Sequence, residues 1–161
     1  MLKGNNILLR PLQIIDLDFL FKVENNPDNW SYGTENILYT KEDLKNYIAN
    51  AKQDITNFGQ FRFVIDWQNT PIGFIDLFDY TINSAGVGVI IAKKYRRRGF
   101  GKEALKLLSI YSFETLKLKK LKCKIEKDNL ASIKLFTSIG FELEREKEEL
   151  QYFVKLAKNK L

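Results

Sequence analysis

Between Lys120 and Glu126 apolar and charged residues alternate strictly: Leu121, Cys123 and Ile125 against Lys120, Lys122, Lys124 and Glu126. A period of two predicts a half-buried strand. Upstream the period lengthens. Phe100, Ala104, Leu107, Leu108 and Tyr111 recur at helical spacing and predict an amphipathic helix over Gly99 to Leu116. The short apolar run Ala85 to Ile91 before it has the length of a buried strand. Gln60 to Trp67 and Ile72 to Tyr80 are rich in aromatic and β-branched residues, with a turn at Gln68-Asn69-Thr70-Pro71 between them and another at Thr81 to Ser84. Towards the start, Ile7-Leu8-Leu9 reads as a strand ended by Arg10-Pro11. Asp16 is expected to cap a short helix carrying Leu17, Phe19, Leu20, Phe21 and Val23. Thr40 and Asp43 open a second helix with Leu44, Tyr47, Ile48 and Ala51 inward. Towards the end, Asn129 to Ser138 predicts a short helix closed near Gly140, and Phe141 to Arg145 with Tyr152 to Leu156 predicts a hairpin. The order is roughly β-α-α-β-β-β-α-β-α-β-β, an α/β fold with one sheet of mixed direction.

The chain has 161 residues, the usual extent of one domain, and no Pro/Gly/Ser linker divides it, so a single domain over 1–161 is expected. Composition changes the picture mainly by exclusion. Histidine is absent, which removes Ser-His-Asp and Cys-His nucleophiles and His-ligated metals. Cys123 is the only cysteine, so neither an internal disulfide nor a Cys-rich zinc site is expected, and no metal is assigned. The net charge of +6 favours an anionic partner without choosing one. The opening Met1-Leu2-Lys3-Gly4-Asn5-Asn6 does not read as a signal peptide, and no run approaches the ~18 apolar residues of a membrane span. A soluble, cytoplasmic protein without a membrane partner is expected.

The stretch that carries chemistry is Tyr95-Arg96-Arg97-Arg98-Gly99-Phe100-Gly101-Lys102, between the buried strand and the amphipathic helix. Glycines let backbone approach a ligand, and the first free N–H groups of a helix attract anions. Arg96, Arg97, Arg98 and Lys102 add full charges. This is a phosphate cradle built mainly of backbone. It is neither a Walker loop, since Gly101-Lys102 lacks the upstream glycine and is followed by Glu103, nor a Rossmann fingerprint.

Arg96-Arg97-Arg98-Gly99-Phe100-Gly101 resembles the (Gln/Arg)-x-x-Gly-x-(Gly/Ala) signature of the GNAT N-acetyltransferase superfamily. Asn129-Leu130-Ala131-Ser132-Ile133-Lys134-Leu135-Phe136-Thr137-Ser138-Ile139-Gly140-Phe141 is similar to that family's second segment. Arg10-Pro11-Leu12 with Asp16-Leu17 resembles the opening of its ribosomal-protein and spermidine acetyltransferase branches, and Ile72-Gly73-Phe74-Ile75-Asp76 also fits. The resemblance implies a mixed, mostly antiparallel sheet of about six to seven strands flanked by about four helices, with the central strands splayed. It implies acetyl-CoA as cosubstrate and direct acetyl transfer to a primary amine: a protein N-terminus, a polyamine or an amino sugar. Arg96 to Lys102 would hold the pyrophosphate. Val89 and Ile91 would offer main-chain groups to the pantetheine arm, with Asn129, Ser132 and Lys134 beside it. Gly86 and Gly88 are compatible with a bulge that opens the gap.

Direct attack on a thioester needs orientation, deprotonation of the ammonium and stabilisation of the oxyanion. The Val89 backbone N–H is the expected oxyanion donor. Asp76, placed about opposite Val89 if Thr81–Ser84 closes a hairpin, is the first candidate base, and Glu35 is the second. Tyr32 and Tyr152 are weaker candidates as proton donors. Asp76, Asp79, Glu35, Glu42 and Asp43 could give a polyamine an acidic pocket. Two positions depart from the family: Phe136 stands where many members carry a proton-donating tyrosine, and Gly86 where many carry a glutamate. They support an alternative, a catalytically silent acyl-CoA-binding or regulatory domain. The lysines from Lys117 to Lys127 read as a solvated sheet face; no nucleic-acid partner is expected, and a homodimer is compatible with the chain.

Overall fold

A computed structural model of the chain describes residues 1–29, 37–51 and 55–158. Among the described residues eight strands form one sheet: β1 (Leu2–Lys3), β2 (Leu8–Pro11), β3 (Phe61–Trp67), β4 (Thr70–Phe78), β5 (Ser84–Ile91), β6 (Lys120–Glu126), β7 (Glu142–Lys147) and β8 (Leu150–Leu156). Their order is β1-β2-β3-β4-β5-β6-β8-β7. The strand beyond the expected number is β1, whose two residues are too few to show a period. The helices are α1 (Leu17–Glu24), α2 (Lys41–Asn50), α3 (Ile55–Phe58, a single turn), α4 (Phe100–Ile110) and α5 (Leu130–Ser138). No helix among the described residues is long and apolar enough to cross a membrane.

Local sequence explains the connections. Gln68 and Asn69 both take positive φ, 52° and 61°, the hand that matches the twist of a tight hairpin between β3 and β4. Thr40 and Asp43 exchange side-chain and backbone bonds and cap α2 as expected. Gly140, at φ +101°, follows α5. The helix read through to Leu116 is α-helical only to Ile110 and continues as a π-helical turn, Tyr111–Thr115. Around that change Ser109 and Ser112 donate to the Leu105 and Leu108 carbonyls, a back-bonding that distorts a helix.

Asp16 does not cap α1 with its side chain. Its carboxylate is fully buried and accepts from Arg10 Nη1 (2.9 Å), Arg10 Nη2 (2.7 Å) and the Gln13 N–H (2.8 Å). Arg10 Nε donates to Asp66 at 2.8 Å. A buried guanidinium requires such compensation, and this one ties β2 to β3 and to the start of α1.

Two apolar layers enclose the sheet. Phe100, Ala104, Leu105 and Leu108 of α4, with Phe136 of α5, pack on Ile65, Ile75, Leu77, Val87, Leu121 and Phe153. Leu20 and Val23 of α1, with Leu44 and Ile48 of α2, pack on Val64 and Phe74 on the opposite face. The remainder of that face carries exposed Lys122 and Lys124, in keeping with a solvated lysine face.

Candidate active site

The two halves of the sheet meet along a short seam. β5 and β6 run parallel and pair only at Ser84↔Lys120, Ala85↔Leu121 and Gly86↔Lys122. Beyond that they part. The β5 face of the gap is set by hydrogen-bond alternation. The Ala92 N–H donates to the Ile72 carbonyl at 2.8 Å, in the same antiparallel register as Gly73↔Ile91, Ile75↔Val89 and Phe78↔Gly86. Alternate residues bond across such a ladder. Gly86, Gly88 and Ile90 therefore face β4, while the main-chain N–H and C=O of Val89 and Ile91 point into the gap. Arg96 Nε takes the Ile91 carbonyl at 2.7 Å, which places that carbonyl on the open side.

The β4–β5 ladder runs without a register shift. The bulge that Gly86 and Gly88 would allow does not form against β4, and the gap lies where the β5–β6 pairing ends. Gly86 answers a different need. A Cβ there would lie 2.4 Å from Cε2 of Phe78, so the ring fills the space a larger residue at 86 would use. Asp76 lies opposite Gly88, one residue from the expected partner Val89.

The gap is part of a cleft of about 1140 Å³. Val89, Ile91, Arg96, Arg97, Gly99, Phe100, Gly101, Lys102, Asn129, Ser132 and Lys134 all line it. Gly99 adopts φ +84°, a left-handed conformation, and caps α4, whose first amides open towards the cleft. Arg98 is not brought in. Its guanidinium lies over Trp67 and Phe100, 4.7 and 5.2 Å from the ring centroids. Arg96 lines the cleft but is engaged by Ile91 and, at 3.3 Å, by Asn29. Asn129 caps α5, its side chain accepting the Ser132 N–H at 3.2 Å. Phe136 is buried edge-on to Phe141, at 5.0 Å.

The opposite end of the cleft is built from side chains. Arg62 donates to Asp76 through Nε (2.8 Å) and Nη2 (2.9 Å), and through Nη1 to Glu24. The guanidinium sits over the rings of Phe74 and Tyr47, at 5.0 and 5.8 Å. Burial raises the Asp76 carboxyl above the usual carboxylate range, and the Arg62 charge opposes that rise. Glu24, Asp28, Tyr39 and Phe78 line the cleft with Asp76. Arg62, Glu24, Asp28 and Phe78 are absent from the sequence-based assignment. The visible signal is Arg62, one of two charges in the otherwise apolar run Gln60 to Trp67. Asp79, Glu42 and Asp43 do not line the cleft, and Asp43 caps α2. Tyr152 lies on β8 beneath Arg145, 4.1 Å from ring centroid to guanidinium, and does not line the cleft. Glu35 and Tyr32 lie outside the described residues.

A model of the acetyltransferase (GNAT) domain matches residues 6–142. The chain belongs to the GNAT acetyltransferase family. Among its GNAT relatives, spermidine N(1)-acetyltransferase of Escherichia coli K12 is 26% identical over 145 residues, 89% of this chain and 76% of that protein. The Vibrio cholerae spermidine N(1)-acetyltransferase is 28% identical over 141 residues, 86% of this chain and 80% of that one. The GNAT fold agrees as well. A Vibrio cholerae spermidine N-acetyltransferase solved with CoA and spermine superposes with a TM-score of 0.82, at 23% identity, covering 95% of this chain and 96% of that one. A putative ribosomal-protein-serine acetyltransferase of Vibrio cholerae superposes at 0.77, with 20% identity and 96% of each chain covered.

The cleft suits the cosubstrate implied by GNAT membership. It offers an open strand edge for amides, a left-handed glycine before exposed helix amides, and cations at the same end. Among the described residues no cluster of three or more His, Cys, Asp or Glu is placed for a metal ion.

Proposed function

We propose that this protein transfers the acetyl group of acetyl-CoA to the nitrogen of a small-molecule primary amine. The observation that carries this reading is the parting of β5 and β6 beside the Gly99 turn. Acetyl-CoA supplies an activated thioester, so a neutral amine needs no covalent enzyme intermediate. In this reading the amides of Gly99 to Lys102, with Arg97 and Lys102, receive the pyrophosphate. Arg96 contributes indirectly, by holding the end of β5 against Asn29, and Arg98 by packing the turn onto Trp67. Ile91, Asn129, Ser132 and Lys134 flank the pantetheine arm. The Val89 N–H aims at the carbonyl oxygen and stabilises charge as it develops there.

The acceptor enters from the end lined by Glu24, Asp28 and Asp76. Three carboxylates against one guanidinium attract an ammonium ion. Spermidine, the substrate in the relatives' names, is the first amine to test. Asp76 serves as base through water. Arg62 occupies two of its roughly four lone-pair sites, leaving acceptor capacity towards the cleft. Its raised pKa brings it closer to the proton it must take. Phe136 cannot protonate the thiolate, so that proton comes from water.

Two measurements test the reading. Saturating acetyl-CoA should raise the unfolding temperature, and an amine should then release free thiol. Binding without thiol release across an amine panel would favour a silent acyl-CoA-binding domain, the reading that Phe136 and the filled space over Gly86 support. For the base, Asp76→Asn should lower turnover mainly below the pKa of the amine; an unaltered pH–rate profile removes Asp76 from that role.

A further inference from the structure

Phe78 belongs to two cavities. On one side is the cleft. On the other is a chamber of about 420 Å³ to which Tyr47, Asn50, Ala51, Phe58, Gln60 and Phe61 contribute. Arg62, Asp76 and Phe78 line both and form the wall between them. The wall is low: the Arg62 and Asp76 side chains retain 15% and 25% of their exposure, and Phe78 is only half-buried. A ligand reaching out of the cleft can lie across it without displacing the core.

Charge differs across this wall. The cleft side holds Glu24 and Asp28. The chamber adds no charged side chain to the shared Arg62–Asp76 pair, which is neutral overall and joined by two hydrogen bonds. A second ammonium in the chamber meets no carboxylate beyond Asp76, which Arg62 already holds. What the chamber does offer is the rings of Tyr47, Phe58, Phe61 and Phe78, with the amides of Asn50 and Gln60. That lining suits a flat apolar body carrying a neutral hydrogen-bonding group.

We propose, resting on the acetyl-transfer reading above, that this chamber is the distal acceptor subsite. It takes the uncharged aromatic or amide-bearing tail of a monoamine whose nitrogen lies in the cleft, and Phe78 sets access to it. The same three side chains thus border the amine on one side and the tail on the other.

The test compares propylamine, 4-phenylbutylamine and spermidine. Each is titrated calorimetrically into the CoA-loaded protein and assayed for thiol release with acetyl-CoA. The expected result is binding of 4-phenylbutylamine at least about tenfold tighter than propylamine. Gln60→Trp, at an exposed position, and Ala51→Trp, at the end of α2, each fill the chamber and should collapse that ratio towards one. Phe78→Ala, which lowers the wall, should widen it. The spermidine-to-propylamine ratio should not follow the two tryptophan changes. No preference in the wild type, a preference untouched by both tryptophan variants, or an equal fall in the spermidine ratio would each overturn the proposal. CoA binding with no amine binding overturns the subsite and leaves the nucleotide reading intact. Failure to bind CoA overturns both.

Discussion

The two ends of the cleft are made differently. The end assigned to the cosubstrate is mainly backbone: a strand edge, a left-handed glycine and the first turn of α4. The end assigned to the acceptor is mainly side chains, Glu24 from α1, Arg62 from β3 and Asp76 from β4, held by ion pairs and aromatic faces. Backbone sites follow from where elements begin and end, so a contiguous motif encodes them. Side-chain sites follow from register and packing among distant segments. The same contrast predicts where substitutions damage the fold and where they damage binding alone.

The largest effect should come from Arg62→Ala. It leaves Asp76 and Glu24 facing each other without their shared cation, at a cost of about 3–5 kcal/mol. Equilibrium denaturation checks this. A loss below about 1 kcal/mol, the range of surface pairs, would show that the acceptor end is not held by its charges.

Gly86→Ala comes next. Its Cβ would fall 2.4 Å from the Phe78 ring, and such overpacking costs about 1–3 kcal/mol. Gly86→Ala combined with Phe78→Leu should recover most of that loss, because the two side chains compete for one space. Simple additivity of the two changes would contradict the contact.

Gly99→Val should cost about 1–2 kcal/mol of stability, because a β-branched residue resists the left-handed φ of +84°. Its main signature is functional: CoA affinity should fall at least about tenfold, a coupling energy of roughly 1.4 kcal/mol. Arg98→Ala should reduce CoA affinity less than Arg97→Ala, because its guanidinium is stacked on Trp67 and does not line the cleft. A larger loss for Arg98→Ala would reverse the assignment.

The smallest effect is confined to alkaline pH. Burial pushes the Cys123 thiol up to about 12 from an ordinary value of 9.0. The folded state therefore favours the neutral thiol. Its contribution is intact below the unfolded pKa and is lost as pH rises through the folded one. The stability difference between wild type and Cys123→Ala should be flat to pH 9 and then decline towards pH 12. A flat difference across that window would mean the thiol is solvated in the folded protein.

Much of this architecture was legible in residue patterns. Strict alternation located β6, helical spacing located α4, and the Arg96–Lys102 stretch marked the glycine turn that borders the cleft, because each depends on neighbours in the chain. β1 was not legible, since two residues carry no period. The π turn after Ile110 was not, since it depends on hydroxyl back-bonding inside an otherwise uniform helical pattern. The one-residue difference that sets Asp76 opposite Gly88 depends on the turn joining β4 and β5, where Asp79 adopts φ +47°. The direction of Arg98 depends on Trp67, more than thirty positions upstream. The Arg62 cluster escaped for a similar reason: its acids come from two other segments, and only the fold makes them neighbours.

The central claim is that the parted edge of β5 and the Gly99 turn together receive acetyl-CoA. Amide hydrogen exchange, read residue by residue with and without saturating CoA, tests it most directly. Val89, Ile91 and the amides of Phe100 to Lys102 should exchange more slowly in the complex, while Gly88 and Ile90, already bonded to β4, should change little. Binding that protects none of the first set would contradict the account.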